Sequence, residues 1–93
     1  MKTAKPTRIM LVDDHPVFLH LIADYLRLNG ADEVTVAGMA HDGEEALCLA
    51  KKLRPKIVLL DLIMPGLSGF DTIPRLRALV PKVYIIICNS SQL

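Results

Sequence analysis

Short, uninterrupted apolar runs alternate along the chain with longer stretches in which apolar and polar positions interleave. Ile9-Met10-Leu11-Val12, Ile57-Val58-Leu59-Leu60 and Val83-Tyr84-Ile85-Ile86-Ile87-Cys88 contain no charged residue. Runs that apolar and that short fit strands buried on both faces of a parallel sheet. They predict strands over residues 7–12, 57–60 and 83–88. A weaker alternation, Val34, Val36 and Gly38 against Thr35 and Ala37, predicts one more strand over 33–39, since successive strand residues point to opposite faces.

The intervening stretches carry helical spacing. Phe18, Leu21, Ile22, Tyr25 and Leu26 form an i, i+3, i+4 stripe that predicts a helix over 16–28, with Pro16 welcome at its first position and Asn29-Gly30 as its stop. After a turn at His41-Asp42-Gly43, Asp42 is the expected cap of a second helix. Glu44 and Glu45 suit its positive end, Lys51, Lys52 and Arg54 suit its negative end, and Pro55 closes it. Met64-Pro65-Gly66 has the residue order of a type II turn. A third helix then begins at Ser68 or Asp71 and ends near Val80. An interior proline costs a helix about 3 kcal/mol, so Pro74 favours Asp71 as the cap, with the proline in the first turn.

Strand and helix in strict alternation imply right-handed crossovers and an α/β, doubly wound parallel sheet. If the strand order is 2-1-3-4, the first and third strands meet where the winding reverses, the place where open sheets of this kind bind ligands. Asp13-Asp14 follows the first strand and Asp61 the third, so these carboxylates share one rim. Two unit charges about 4 Å apart repel by about 4 kcal/mol at an effective dielectric of about 20. Such a cluster calls for a hard divalent cation with oxygen ligands, Mg²⁺ above all where phosphate is also present.

Composition narrows the rest. Ninety-three residues make one small domain that buries roughly 60 to 65% of its unfolded surface. With 52% hydrophobic residues against 23% charged, the chain is globular. A net charge of +1, with basic residues scattered among acids, lacks the footprint of a nucleic-acid surface. Cys48 and Cys88 lie in apolar segments without a Cys-x-x-Cys pair, so buried thiols in a reducing cytosol are expected. Residues 1–8 are basic, but the apolar run behind them is too short for a signal-peptide core, and no run approaches a membrane span. His15, beside the acid pair, could serve as a transition-metal ligand, but a solvated residue just before a helix is the expectation, and His20 and His41 show no ligand spacing with it. Met10, Met39 and Met64 are expected to fill the core. No glycine-rich phosphate loop is present.

Three segments carry a resemblance: Leu-Val-Asp-Asp-His-Pro at 11–16, Asp-Gly-Glu-Glu-Ala-Leu at 42–47, and Leu-Leu-Asp-Leu-Ile-Met-Pro-Gly-Leu-Ser-Gly at 59–69. Together they resemble the receiver domain of two-component response regulators, a flavodoxin-like fold. Asp-His-Pro is similar to the subgroup whose receivers are joined to a helix-turn-helix DNA-binding domain and switch a transcriptional response. The resemblance implies that Asp61 accepts a phosphoryl group from a histidine kinase and that Asp13, Asp14, Asp61 and the backbone carbonyl of Ile63 hold Mg²⁺. Pro65 and Gly69 fall where the family keeps a rigid turn and a close helix start. The hydroxyl the family places after its fourth strand corresponds to Ser90 among Cys88-Asn89-Ser90. The family's fourth helix, fifth strand and fifth helix, with the lysine after that strand, have no counterpart in residues 1–93.

Two functions follow as expectations. One is a phosphorylation-dependent switch in the cytoplasm, a phosphoacceptor and not a turnover enzyme. The other is a phosphorylation-independent module that pairs through the strand at 83–88, whose long apolar edge is expected to recruit a second copy, directly or by segment exchange. A Mg²⁺-dependent phosphatase with an aspartyl intermediate needs a second acid two residues after the nucleophile, and Ile63 stands there.

Overall fold

The computed structural model describes residues 5–30 and 32–88. Its elements run β1 (Thr7–Val12), α1 (Pro16–Asn29), β2 (Val34–Ala40), α2 (Gly43–Leu53), β3 (Ile57–Asp61), α3 (Gly69–Leu79) and β4 (Tyr84–Cys88). The strands form one sheet in the order β2-β1-β3-β4, and every pairing is parallel. The winding therefore reverses between β1 and β3, as the alternating pattern implied.

Strand alternation divides the core between the two faces of the sheet. Met10, Val12, Val58 and Leu60 point to one face and pack with Ala46 and Ala50 of α2 and Leu76 of α3. Ile9 and Leu11 point to the other and pack with Leu19 and Ala23 of α1, with Ile57 and Leu59 alongside. Met10 and Met64 are buried and Met39 packs against the α1 side, as expected of them. Two helices thus cover one face and a single helix the other. Beside α1 the second face holds an open apolar groove of about 270 Å³ bounded by Ile57, Leu59, Ile86 and Tyr25.

Three local expectations are corrected. The side of α1 that packs is Leu19, Ile22, Ala23 and Leu26, while Leu21 and Tyr25 of the expected stripe are 61% and 63% exposed. Tyr25 flanks the groove, which no described helix covers. The third helix starts at Gly69 with Ser68 as its cap, the Ser68 side chain accepting from the Asp71 N–H. Asp71 is thus a third-position partner, its Oδ2 accepting from Ser68 Oγ at 3.2 Å, a reciprocal arrangement akin to a capping box. Pro74 consequently lies inside α3. The carbonyl it would otherwise bond belongs to Phe70. Finally, Cys48 is exposed and Cys88 half-buried. Cys48 stands across α2 from Ala46 and Ala50, the residues that face the sheet.

Other local signals carry through. Pro16 opens α1, and the Asp42 carboxylate accepts from the Glu45 N–H at 2.7 Å to cap α2. Gly66 takes φ +74°, the left-handed value its place after Pro65 predicts. No described helix is long and apolar enough to cross a membrane.

Candidate functional site

Val12 of β1 lies opposite Leu60 of β3, so the next residues, Asp13 and Asp61, emerge side by side at the carboxyl end of the sheet. Asp13 is 2% exposed and Asp61 wholly buried, while Asp14 is part-buried. Ligand-capable atoms of Asp13, Asp14, His15 and Asp61 all lie within 4.8 Å of one another. The three acids singled out from the strand ends therefore form one cluster.

Backbone bonds fix this rim. The Asp13 N–H donates to the Ala40 carbonyl at 3.1 Å, extending the β1–β2 ladder by one residue. Asp13 Oδ1 accepts from the His15 N–H at 2.9 Å, closing a small turn at the start of α1. Asp61 Oδ1 accepts from the Ile63 N–H at 3.3 Å. Behind it the Leu62 N–H donates to the Cys88 carbonyl and the Gly69 N–H to the Leu62 carbonyl. A Cβ on Gly69 would sit 2.5 Å from both the Asp61 carbonyl oxygen and Leu62 Cα, so only glycine lets α3 begin this close to the end of β3.

His15 stands just before α1 and is solvated, as expected, but it also turns back toward the acids. Its ring is half exposed, but Nδ1 lies 2.8 Å from Asp13 Oδ1 and 3.2 Å from Asp14 Oδ1. The hydrogen bond to Asp13 raises its pKa above the usual 6.5, with the charges of Asp14, Asp13 and Asp61 adding to the effect and partial desolvation opposing it. The signal was the Asp-Asp-His-Pro run itself, because a histidine between an acid pair and a helix start can turn back toward the acids. Ile63 meets the site through its N–H and its side chain is exposed. Ser90 lies outside the described residues.

Asp13 Oδ2 and Asp14 Oδ1 are buried without a hydrogen-bond partner among the described residues. The short approach of Asp14 Oδ1 to His15 Nδ1 is an ion-pair distance without hydrogen-bond alignment. Buried carboxylate oxygens are costly unless something positive or donating meets them. A small cation fits both the charge and the hard oxygen donors, so this donor set suits Mg²⁺.

Acids gathered at the switch point of a doubly wound sheet define the class, and comparison with known proteins gives the family. The description of the response regulator receiver domain matches residues 9–92, and the chain belongs to that family. It is 39% identical over 77 residues to the nitrate/nitrite response regulator NarL of Escherichia coli strain K12, covering 83% of this chain and 35% of that protein. It is 40% identical over 92 residues to NarP of the same organism, covering 99% of this chain and 42% of NarP. Among solved structures, the signal receiver domain of a NarL response regulator from Mycobacterium tuberculosis superposes with a TM-score of 0.80 at 33% identity, over 90% of this chain and 66% of that one. The response regulator domain of Thermotoga maritima CheB gives 0.83 at 26% identity, over 91% and 61%. The chain thus spans well under half the length of these two curated relatives.

Proposed function

We propose that Asp61 is the phosphoacceptor of a two-component system, loaded by a histidine kinase with Mg²⁺ held by Asp13, Asp14, Asp61 and the Ile63 carbonyl, and that loading switches a transcriptional response. The observation that carries this reading is the meeting of three strand-end acids in one buried cluster. In the transfer, the bond from phosphorus to the kinase imidazole nitrogen breaks and a bond from phosphorus to an Asp61 carboxylate oxygen forms. A carboxylate is a weak nucleophile, and such transfer rests on positioning and charge neutralisation. Bound at the acids, Mg²⁺ supplies the positive charge that offsets both the carboxylates and the incoming phosphoryl oxygens.

The chain's own contribution is to hold Asp61. The Ile63 N–H fixes one of its oxygens, and the Gly69 approach keeps the following loop close. Once loaded, Asp61 carries roughly 1.5 to 2 negative charges, and the segments that follow β1 and β3 at this rim are placed to respond. Ser90 is the hydroxyl we assign to the phosphoryl oxygens. The exposed thiol of Cys48 suits a reducing cytoplasm. The test is exposure to Mg²⁺ with a beryllofluoride phosphate mimic. A spectral change is expected in the wild type and not in Asp61→Asn, and an unresponsive wild type would reject the reading.

A second reading has its own observation. β4 is an edge strand of the described sheet, carries no charge, and exposes Tyr84, Ile86 and Ile87. Edges of that kind recruit strands, so we propose that this 93-residue chain pairs with a second copy along β4, by direct edge pairing or segment exchange.

A further inference from the structure

We infer that His15 is itself a ligand of the cation site, through Nδ1, and that it shifts the selectivity of the pocket from Mg²⁺ toward divalent transition ions such as Mn²⁺ and Co²⁺. The inference rests on the reading of the acid cluster as a cation site and goes beyond it by adding a nitrogen donor. Three observations support it.

The first is geometric. In an octahedral shell with ligand bonds of about 2.1 Å, neighbouring ligand atoms are about 3.0 Å apart and opposite ones about 4.2 Å. Nδ1 lies 2.8 Å from Asp13 Oδ1 and 3.2 Å from Asp14 Oδ1, both neighbouring-ligand spacings, and the whole set of atoms falls within 4.8 Å. The donors are close to a shell before any ion draws them in.

The second concerns what is left over. Asp13 is 2% exposed, yet its Oδ2 is buried with no hydrogen-bond partner. His15 engages Oδ1 of that carboxylate and leaves Oδ2 unserved. An imidazole acting only as a counter-charge to Asp13 leaves that oxygen uncompensated, whereas an ion among the four side chains can meet it.

The third is rigidity. His15 is the N-cap residue of α1, and its side chain makes no capping bond. Its N–H is held by Asp13 Oδ1 and its carbonyl accepts from Leu19, with Pro16 next in the chain. Backbone anchored on both sides lets the ring turn toward the acids instead of toward the helix. The side chain is 51% exposed, and an imidazole that binds a metal through Nδ1 carries its proton on Nε2.

Chemistry sets the direction. Carboxylate oxygens serve Mg²⁺ and Mn²⁺ alike, but an imidazole nitrogen adds affinity along the series from Mn²⁺ through Co²⁺ and beyond, and adds little for Mg²⁺.

The test measures dissociation constants for Mg²⁺, Mn²⁺ and Co²⁺ by direct titration, with the visible spectrum of bound Co²⁺ as a second readout. Wild type is compared with His15→Asn, which keeps a residue able to cap α1, and with His20→Asn as a control on the outer side of α1. The expected result is a loss of about tenfold or more in Co²⁺ affinity for His15→Asn, a smaller loss for Mn²⁺ and little change for Mg²⁺. The Co²⁺ spectrum should alter in step, and His20→Asn should match wild type. Equal changes for all three ions, or tighter binding of all three once the ring is gone, would overturn the inference and leave the acid site standing. Failure of the wild type to bind any of them, with Asp13→Asn indistinguishable from it, would reject the cation site itself.

Discussion

At the scale of single residues, the site stores electrostatic tension that a cation relieves. Asp13, Asp14 and Asp61 lie close together, and His15 offers one ring edge to two of them. Asp13 Oδ2 and Asp14 Oδ1 are buried without a hydrogen bond among the described residues. Neutralising one acid should therefore have opposite effects on binding and on folding. Asp14→Asn is expected to weaken Mg²⁺ binding and, in metal-free buffer, to raise the thermal midpoint, since repulsion within the cluster is of the order of a few kcal/mol per close pair before screening. Thermal melts with and without Mg²⁺ check this, and a mutant midpoint at or below wild type without metal would contradict it. The acids themselves were legible because each follows a run whose strand character is a local property. The orientation of His15 was not, because it depends on the turn that Asp13 makes with the His15 N–H.

Among the elements, the close start of α3 matters most to the site. Ser68 caps the helix and Gly69 lies against the backbone at the end of β3. Gly69→Ala places a methyl 2.5 Å from the Asp61 carbonyl oxygen and Leu62 Cα. Backbone atoms cannot step aside as a flexible side chain can, so a loss of about 1 to 3 kcal/mol is expected, with weaker Mg²⁺ binding because Asp61 moves. Chemical denaturation checks the first effect and titration the second. Wild-type stability in the mutant would show that α3 can retreat freely. The sequence offered both Ser68 and Asp71 as caps, and Pro74 argued for the later one. The earlier start is fixed by the approach of Gly69 to the backbone at the end of β3 and by the Ser68 cap, and that approach is a tertiary fact. The same holds for α1 and Cys48: periodicity shows that a helix is amphipathic, but which neighbouring residues pack depends on how it sits on the sheet.

For the molecule as a whole, the layering is uneven. α2 and α3 cover one face while α1 covers part of the other, and the apolar groove lies beside the edge strand β4. Strand order, the reversal between β1 and β3 and the position of the acids were all readable, because crossover handedness leaves few topologies for this alternation. The exposed β4 edge makes self-association the expected behaviour of this chain. Ile86→Lys, on a residue that lines the groove and is half exposed, should shift the mass by light scattering from dimer toward monomer, whereas a wild type that is already monomeric at high concentration would refute the pairing.

The most direct test of the phosphoacceptor claim is intact-mass measurement after incubation with acetyl phosphate and Mg²⁺. The wild type should gain one phosphoryl group, with no gain in Asp61→Asn and none when Mg²⁺ is withheld. A wild type that gains nothing, or a gain that survives in Asp61→Asn, would contradict the assignment of Asp61.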